Sequence, residues 1–546
     1  MTSLWERYGT ITQVHGLQIE DTTTSMNEPF LKGQVQPPAY RNVNFAYAFA
    51  VNVIGVVLTT VFYGPAIFQG NSSNEEADDN TSDDSSGGSF LVVMAFAFLA
   101  AILTNIGLLS VMARYSHAIV QASLFTAPLL LFGVALCFLF IDTDAGAALC
   151  LSALLFFLIS CMLYFWYQRF VPFAASTLKT AMSVICYNQG LYFVLLGGIM
   201  LSFMATIVYV IALAGIFATA EQKGRVVCKD LYDNPDGIYQ DDEMCMTNPP
   251  NGLIMFLLLL SAFWTQEVIQ NVVRCTCAGT VGDWWFSGLG DPSWCSHEIS
   301  HSFHRAMTHS FGSICFGSLL VAILQTLEEM AKSARRNRRG ALLACVLECL
   351  LYVMRRWLEY FNSWAFCYVG LYGYDYLTAG KNVIQLFQNQ GWSTFASDRL
   401  IFRVLYASQL TIALVSGGIA TLIDTAVGGS MVGVVSLVVT DTTDDISDAT
   451  ASHVTAFLLG LLLGLILSRC SLFVVESAVR TIIICFAESP ADFQEHHPQL
   501  CQEMREGWAA AYPDVWTEDF DIRFAEVLPT PSLISAEEEK KSLMLV

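Results

Sequence analysis

Three residues whose side chains could do chemistry, Trp264, Glu267 and Asn271, lie three and four positions apart in an apolar stretch. With 3.6 residues per turn, this spacing puts all three on one face of a helix. A carboxylate in hydrocarbon costs about 2.5–3.5 kcal/mol on insertion scales, so it usually faces a partner, a water-filled path or a ligand. Tryptophan beside glutamate suits an organic cation, which an aromatic face and a negative charge attract together. The open alternative is that Glu267 pairs with a basic residue on another helix and Trp264 only packs.

The element that must position these side chains begins after Pro249-Pro250 and is apolar over a length that can cross a bilayer. We expect this span to return the chain to the cytoplasmic side near Arg274. Tyr192 and Tyr209, in the preceding apolar segment, are further candidates for an aromatic cage around a cation, with plain packing as the alternative.

The composition indicates a polytopic membrane protein. The chain has 546 residues, of which 54% are hydrophobic and only 14% charged, whereas soluble proteins average about 25% charged residues. The predicted fold class is therefore all-α, with transmembrane helices and amphipathic cytoplasmic helices in a lipid bilayer. The formal net charge of −21 speaks against nucleic acid as a partner.

The order of segments predicts a transmembrane domain at residues 45–486, between an N-terminal tail at 1–44 and a C-terminal tail at 487–546. Apolar segments are predicted at 45–68, 89–113, 118–141, 145–167, 190–219, 251–274, 306–327, 402–423 and 453–486. Acidic outer loops are predicted at about 69–88, 220–251 and 441–452. Basic residues in the other connections agree with the positive-inside rule. The sequence leaves the topology of residues 328–399 open.

The outer loops offer two kinds of covalent modification. Asn71 and Asn80 begin glycosylation sequons in the first acidic loop. Cys228 and Cys245 are the only cysteines of the second loop, and we expect them to form a disulfide in an extracytoplasmic setting.

Other segments carry structural expectations. The pattern between residues 173 and 189 indicates an amphipathic helix at the membrane interface. Gly312, Ser313, Gly317 and Ser318 favour close packing of helix backbones. In the last segment, Glu476 and Arg480 are spaced to form a helix pair, worth a few tenths of a kcal/mol if exposed.

The letters HEISH, His297 to His301, match the HExxH pattern of zinc proteases, which sets two imidazoles and a carboxylate on one helix. The sequence does not match the extended zinc-protease pattern of the metzincins. His304 stands where that pattern has glycine, and Met307 stands at the position of the third zinc ligand. A zinc-dependent intramembrane protease is thus an alternative, and an interfacial histidine cluster without metal is the reading that we favour.

Several long stretches resemble the choline transporter-like family. WTQEVIQNVV and GTVGDWWF are similar to that family's WTSEVIKNVV and GTVASWYF, and HSFGSICFGSLLVAILQ is similar to SFGSICFGSLIVALIQ. Further on, FNSWAFCYVGLYG and AGKNVIQLF also resemble the family, although Tyr374-Asp375 replaces an expected Lys-Pro pair. The likeness runs from about Tyr40 to Glu488.

The resemblance implies about ten spans, both chain ends in the cytoplasm and a choline-like organic cation as substrate, moved across the plasma membrane without enzymatic activity or cofactor. No GxxxxGK[ST] pattern is present, so we expect a secondary transporter. In this hypothesis Glu267 compensates the substrate's charge, Trp264 forms an aromatic wall and Asn271 orients groups beside them. A non-transporting membrane scaffold or regulator is the other alternative.

Overall fold

The computed structural model describes residues 36–65, 84–139, 144–232, 252–287, 296–336, 341–390, 393–427 and 448–511. The regular elements in these ranges are helices. The first eight are α1 (Val43–Tyr63), α2 (Asp84–Arg114), α3 (Ser116–Leu139), α4 (Asp144–Tyr167), α5 (Val171–Tyr187), α6 (Leu191–Tyr232), α7 (Gly252–Ser287) and α8 (His297–Met307). The next seven are α9 (Phe311–Arg336), α10 (Ala341–Tyr372), α11 (Tyr376–Gln390), α12 (Ser393–Val427), α13 (Asp448–Glu488), α14 (Pro490–His496) and α15 (Pro498–Ala511).

The described part of the chain contains 9 stretches of helix long and apolar enough to cross a membrane. They coincide with the nine apolar segments of the sequence, so the prediction of an all-α polytopic membrane protein is confirmed. Glycans are predicted at Asn71 and Asn80, and a disulfide between Cys228 and Cys245. These four residues lie outside the part of the chain whose side chains the structure describes.

Residues 341–372, whose topology the sequence left open, form the single helix α10. It lies antiparallel to α9, because Arg335 of α9 pairs with Glu348 while Glu328, earlier in α9, pairs with Arg355, later in α10. At about 1.5 Å per residue its 32 residues extend as far as a bilayer-crossing helix. Two of the charges that weaken its apolar signal in the sequence, Glu348 and Arg355, pair with Arg335 and Glu328 of α9.

The central helix is α7, which packs against α6, α8, α9, α10 and α13. It begins at Gly252, as the preceding prolines predict, but it does not end near Arg274 and continues to Ser287. The second half stays helical because it is buried on nearly all sides, and its glycines admit close neighbours. A Cβ atom at Gly282 would clash with Leu371 of α10.

The helix predicted at residues 173–189 forms as α5, and most of its side chains are buried within the protein. The helix α15 packs against α5 and buries these side chains, and its Gly507 lets the backbone of α15 lie against Phe173. An exposed pair, Lys179 with Glu503, links the two helices at 2.6 Å.

Small residues of α9 permit close helix approach, as the sequence predicts. A Cβ atom at Gly312 would collide with the backbone at Arg41 and Asn42, and one at Gly317 would collide with the rings of Phe366 and Tyr376. The first helix therefore sits directly on the start of α9, and this contact helps to fix the helices around α7.

Candidate functional site

A polar cavity of about 590 Å³ lies between α7, α9, α10, α12 and α13. Its charged lining consists of Glu267, Arg274, Arg355, Arg356, Glu359, Asp398, Arg399, Arg469, Glu476 and Arg480. The neutral side chains of the lining are Gln270, Asn271, Val321, Tyr360, Asn362, Ser363 and Phe402. This volume is in the usual range for a small-molecule site, about 300–1,000 Å³. Charged groups inside a membrane domain commonly mark a substrate or ion pathway.

Glu267 lies in the cavity wall near the middle of α7. Its Oε1 accepts a hydrogen bond from Nε2 of Gln325 on α9, at 3.0 Å. Within the described residues it forms no ion pair, so the alternative of a salt bridge to another helix does not apply in this conformation. An amide satisfies one oxygen of the carboxylate without neutralising its charge.

Asn271 and Arg274 follow Glu267 on the same face of α7 and also line the cavity. Asn271 is buried and donates from Nδ2 to Oγ of Ser318 at 3.0 Å. Its Oδ1 accepts a hydrogen bond from Nη1 of Arg274 at 2.7 Å. The asparagine thus holds the arginine side chain and fastens α7 to α9 at a small residue of the kind expected there.

Trp264 is buried one turn before Glu267, but it is not part of the cavity lining. Its indole N–H donates to the carbonyl oxygen of Cys315 on α9 at 2.9 Å. The ring meets the edge of Phe49 of α1, with ring centroids 5.3 Å apart. The indole therefore joins α1, α7 and α9 behind the cavity wall.

The two tyrosines of α6 also lie away from the polar cavity. The hydroxyl group of Tyr209 shares hydrogen bonds with Oγ of Ser261 at 2.6 Å and Oγ1 of Thr265 at 2.8 Å. Tyr192 packs against the main hydrophobic core. Tyr209 instead borders two apolar clefts between α6 and α7.

A buried ion network at the far wall of the cavity was not anticipated as a unit. Arg480 contacts Glu476 at 2.5 Å and Asp398 of α12 at 3.4 Å, and its side chain is 3% exposed. Arg469 adds a second contact to Glu476 at 3.1 Å. The Glu476–Arg480 pair predicted from their spacing is confirmed, but it is buried instead of exposed. Asp398 lies at the edge of an apolar run and had no recognisable signal in the sequence.

A second network joins α9 and α10. Nε of Arg355 lies 2.6 Å from Glu328, and the same guanidinium also bonds to Glu359. Arg356 approaches Glu359 at 3.6 Å. Each of these carboxylates is therefore held by arginine, unlike Glu267.

The HEISH residues form the start of α8, where the rings of His297 and His301 stack with centroids 6.3 Å apart. In the part of the chain that the structure describes, no group of three or more His, Cys, Asp or Glu side chains is arranged to hold a metal ion. The zinc protease alternative has no geometric support among these residues.

Comparison with known proteins agrees with the geometry of a membrane transport domain. A family model described as "Plasma-membrane choline transporter" matches residues 151–491, which is more than half of the chain. A protein called PNS1 from Gibberella zeae is 34% identical over 256 residues, covering 45% of this chain and 44% of the relative. PNS1 from Eremothecium gossypii is 28% identical over 259 residues, covering 45% and 44%. PNS1 from Cryptococcus neoformans is 27% identical over 302 residues, covering 54% and 52%.

The matched region spans about half the length of these relatives. The family-model match at residues 151–491 includes α7 and all of the cavity-lining residues, from Glu267 to Arg480. The chain is an integral, multi-pass membrane protein that belongs to the choline transporter-like family.

Proposed function

We propose that the protein is a secondary transporter that moves choline or a similar organic cation across the plasma membrane. The observation that carries this proposal is that the Glu267 carboxylate, unlike the other carboxylates of the cavity lining, is not paired with an arginine among the described residues. Of the four carboxylates in the cavity lining, Glu359, Asp398 and Glu476 are each engaged by arginine. Among the described residues, Glu267 has only the neutral amide of Gln325 as a partner and is available to a cation.

A quaternary ammonium group cannot donate a hydrogen bond, so its recognition depends on negative field and aromatic faces. Glu267 supplies the field. Two aromatic residues, Tyr360 and Phe402, belong to the same lining. Arg480 lies 5.4 Å from the centroid of the Tyr360 ring, which leaves Phe402 as the better aromatic contact for a cation.

The predicted substrate contacts of Trp264, Tyr192 and Tyr209 stay predictions. In the conformation described here these side chains bind neighbouring helices, so direct contact with a solute in the cavity would require a rearrangement of α6 and α7. Asn271 has an indirect role in the proposal, since it lies between Glu267 and Arg274 on α7 and accepts a hydrogen bond from the Arg274 guanidinium.

The test is uptake of radiolabelled choline into proteoliposomes by wild type and Glu267→Gln. Glutamine has nearly the same shape and can still bond to Gln325, so the variant removes mainly the charge. A charge pair about 4 Å apart is worth about 4 kcal/mol at an effective dielectric constant of about 20, before the desolvation cost is subtracted. We therefore expect at least a tenfold rise in KM. Glu503→Gln, at an exposed pair on α15, is the matched control.

Equal KM values for wild type and Glu267→Gln, at matched protein content, would contradict the proposed site. Absence of choline counterflow in wild-type vesicles would favour the scaffold alternative.

A further inference from the structure

Arg274 is a cation in the wall of the polar cavity. It forms no ion pair within the described residues, in contrast to Arg355, Arg469 and Arg480. Its Nη1 donates to the neutral Asn271, and its Nε is buried without a hydrogen-bond partner in the described part of the chain. The guanidinium lies 4.7 Å from the centroid of the Phe473 ring, which attracts the cation but satisfies none of its N–H groups.

The pattern of used and unused donors on Arg274 is specific. Asn271 takes Nη1, which leaves Nε and Nη2 as the pair along one edge of the planar guanidinium. Two parallel N–H groups of this kind match the two oxygens of a carboxylate or phosphate. A buried polar atom with no partner is uncommon and costs free energy, so a ligand oxygen at this edge would be favoured.

The charge of the lining points in the same direction. Six arginines and four acidic residues line the cavity, which gives an excess of positive charge when all are ionised. Glu328, behind Arg355, offsets part of the excess but lies outside the lining. A cation that enters alone therefore meets Glu267 in a lining with excess positive charge. An anion that enters with the cation offsets this excess.

Glu267 and Arg274 are seven residues apart on α7, about two turns and roughly 10 Å along the helix axis. This spacing sets a negative and a positive group on the same wall of one cavity, and within the described residues neither group forms an ion pair.

We propose that the cavity binds an oxyanion at Arg274 together with the organic cation at Glu267. The oxyanion is either the phosphate or carboxylate of a zwitterionic solute or a separate small anion that binds with choline. The cationic half of this inference rests on the proposed function, and the anionic half rests on Arg274 alone.

The experiment measures displacement of radiolabelled choline from the purified protein by phosphocholine, and choline affinity with and without inorganic phosphate. Wild type is compared with Arg274→Gln, Arg274→Lys and the surface control Lys179→Gln. A hydrogen bond between charged groups changes affinity by about tenfold or more. We expect Arg274→Gln to weaken phosphocholine binding by at least about tenfold while its affinity for choline in phosphate-free buffer is unchanged or higher. Arg274→Lys keeps the charge but loses the paired donors, so its affinity for phosphocholine should fall between those of wild type and Arg274→Gln.

Phosphocholine displacement that depends on Arg274 would identify a zwitterionic solute. A rise in choline affinity on adding phosphate, absent from Arg274→Gln, would identify a separate anion. Equal phosphocholine affinities in wild type and Arg274→Gln, with no phosphate effect on choline, would overturn the inference while choline binding stands. Stabilisation of wild type by phosphate against heat, lost in Arg274→Gln, would support the anion site even if choline did not bind, and that outcome would count against the proposed function alone. Thermal unfolding of each variant checks its folding.

Discussion

Replacement of Arg480 by leucine should destabilise the protein strongly. The guanidinium is 3% exposed and lies between Asp398 and Glu476, with N–O distances of 3.4 and 2.5 Å. After the change, Arg469 still contacts Glu476 at 3.1 Å, but Asp398 loses the ion pair that offsets its buried charge. Removing one partner of a buried pair costs about 3–5 kcal/mol, because an uncompensated charge remains in a medium of low dielectric constant.

The assay is thermal unfolding of the purified protein in detergent, with Lys179→Leu as the control. The Lys179–Glu503 pair is also short, at 2.6 Å, but its side chains are 40% and 45% exposed. Exposed pairs contribute only about 0–1 kcal/mol, so the control should unfold close to wild type. Adding Asp398→Asn to Arg480→Leu should restore part of the lost stability, since it removes the orphaned charge. The reasoning is refuted if Arg480→Leu melts no earlier than Lys179→Leu, or if Asp398→Asn gives no rescue.

Two other predictions address the helix contacts outside the ion network. Gly312→Leu should push α1 away from α9 and cost about 1–3 kcal/mol or more, with a lower melting temperature, whereas Gly55→Leu, with open space around its position, should melt like wild type. Burial lowers the pKa of His497, whose ring stacks on Trp284 at 3.8 Å, so the folded state binds a proton less readily than the unfolded chain. Stability should therefore fall as the pH drops through about 6.5 and below, with smaller protection factors against hydrogen exchange in α14 and α15, and His497→Phe should reduce this dependence. Equal protection factors at pH 7.5 and pH 5.5 in the wild type, each corrected for the intrinsic exchange rate at that pH, would contradict it.

The nine spans could be predicted because each is an apolar run of sufficient length, and a helix satisfies the hydrogen bonds of its own backbone within lipid. The start of α7 at Gly252 was equally visible, since the prolines before it cannot continue a helix. The end of α7 at Ser287 could not be predicted in the same way. The second half of the helix is stabilised by packing against helices from distant parts of the chain, which no local pattern contains.

The site was predictable in part for the same reason. Glu267 and Asn271 stand out as polar residues in an apolar helix, and both line the cavity. The position of Trp264 depends on where Cys315 offers a carbonyl oxygen, which no local pattern contains. Arg274 is visible as a charge in the sequence, but only the fold shows that it forms no ion pair within the described residues.

The central claim is that an organic cation binds beside Glu267 in the cavity between α7 and α13. The most direct measurement is a structure of the protein with choline bound. The account predicts density for the trimethylammonium group within about 6 Å of the Glu267 carboxylate, the range over which opposite charges interact strongly. Choline bound only in the apolar cleft between α6 and α7, with the polar cavity unaltered, would contradict it.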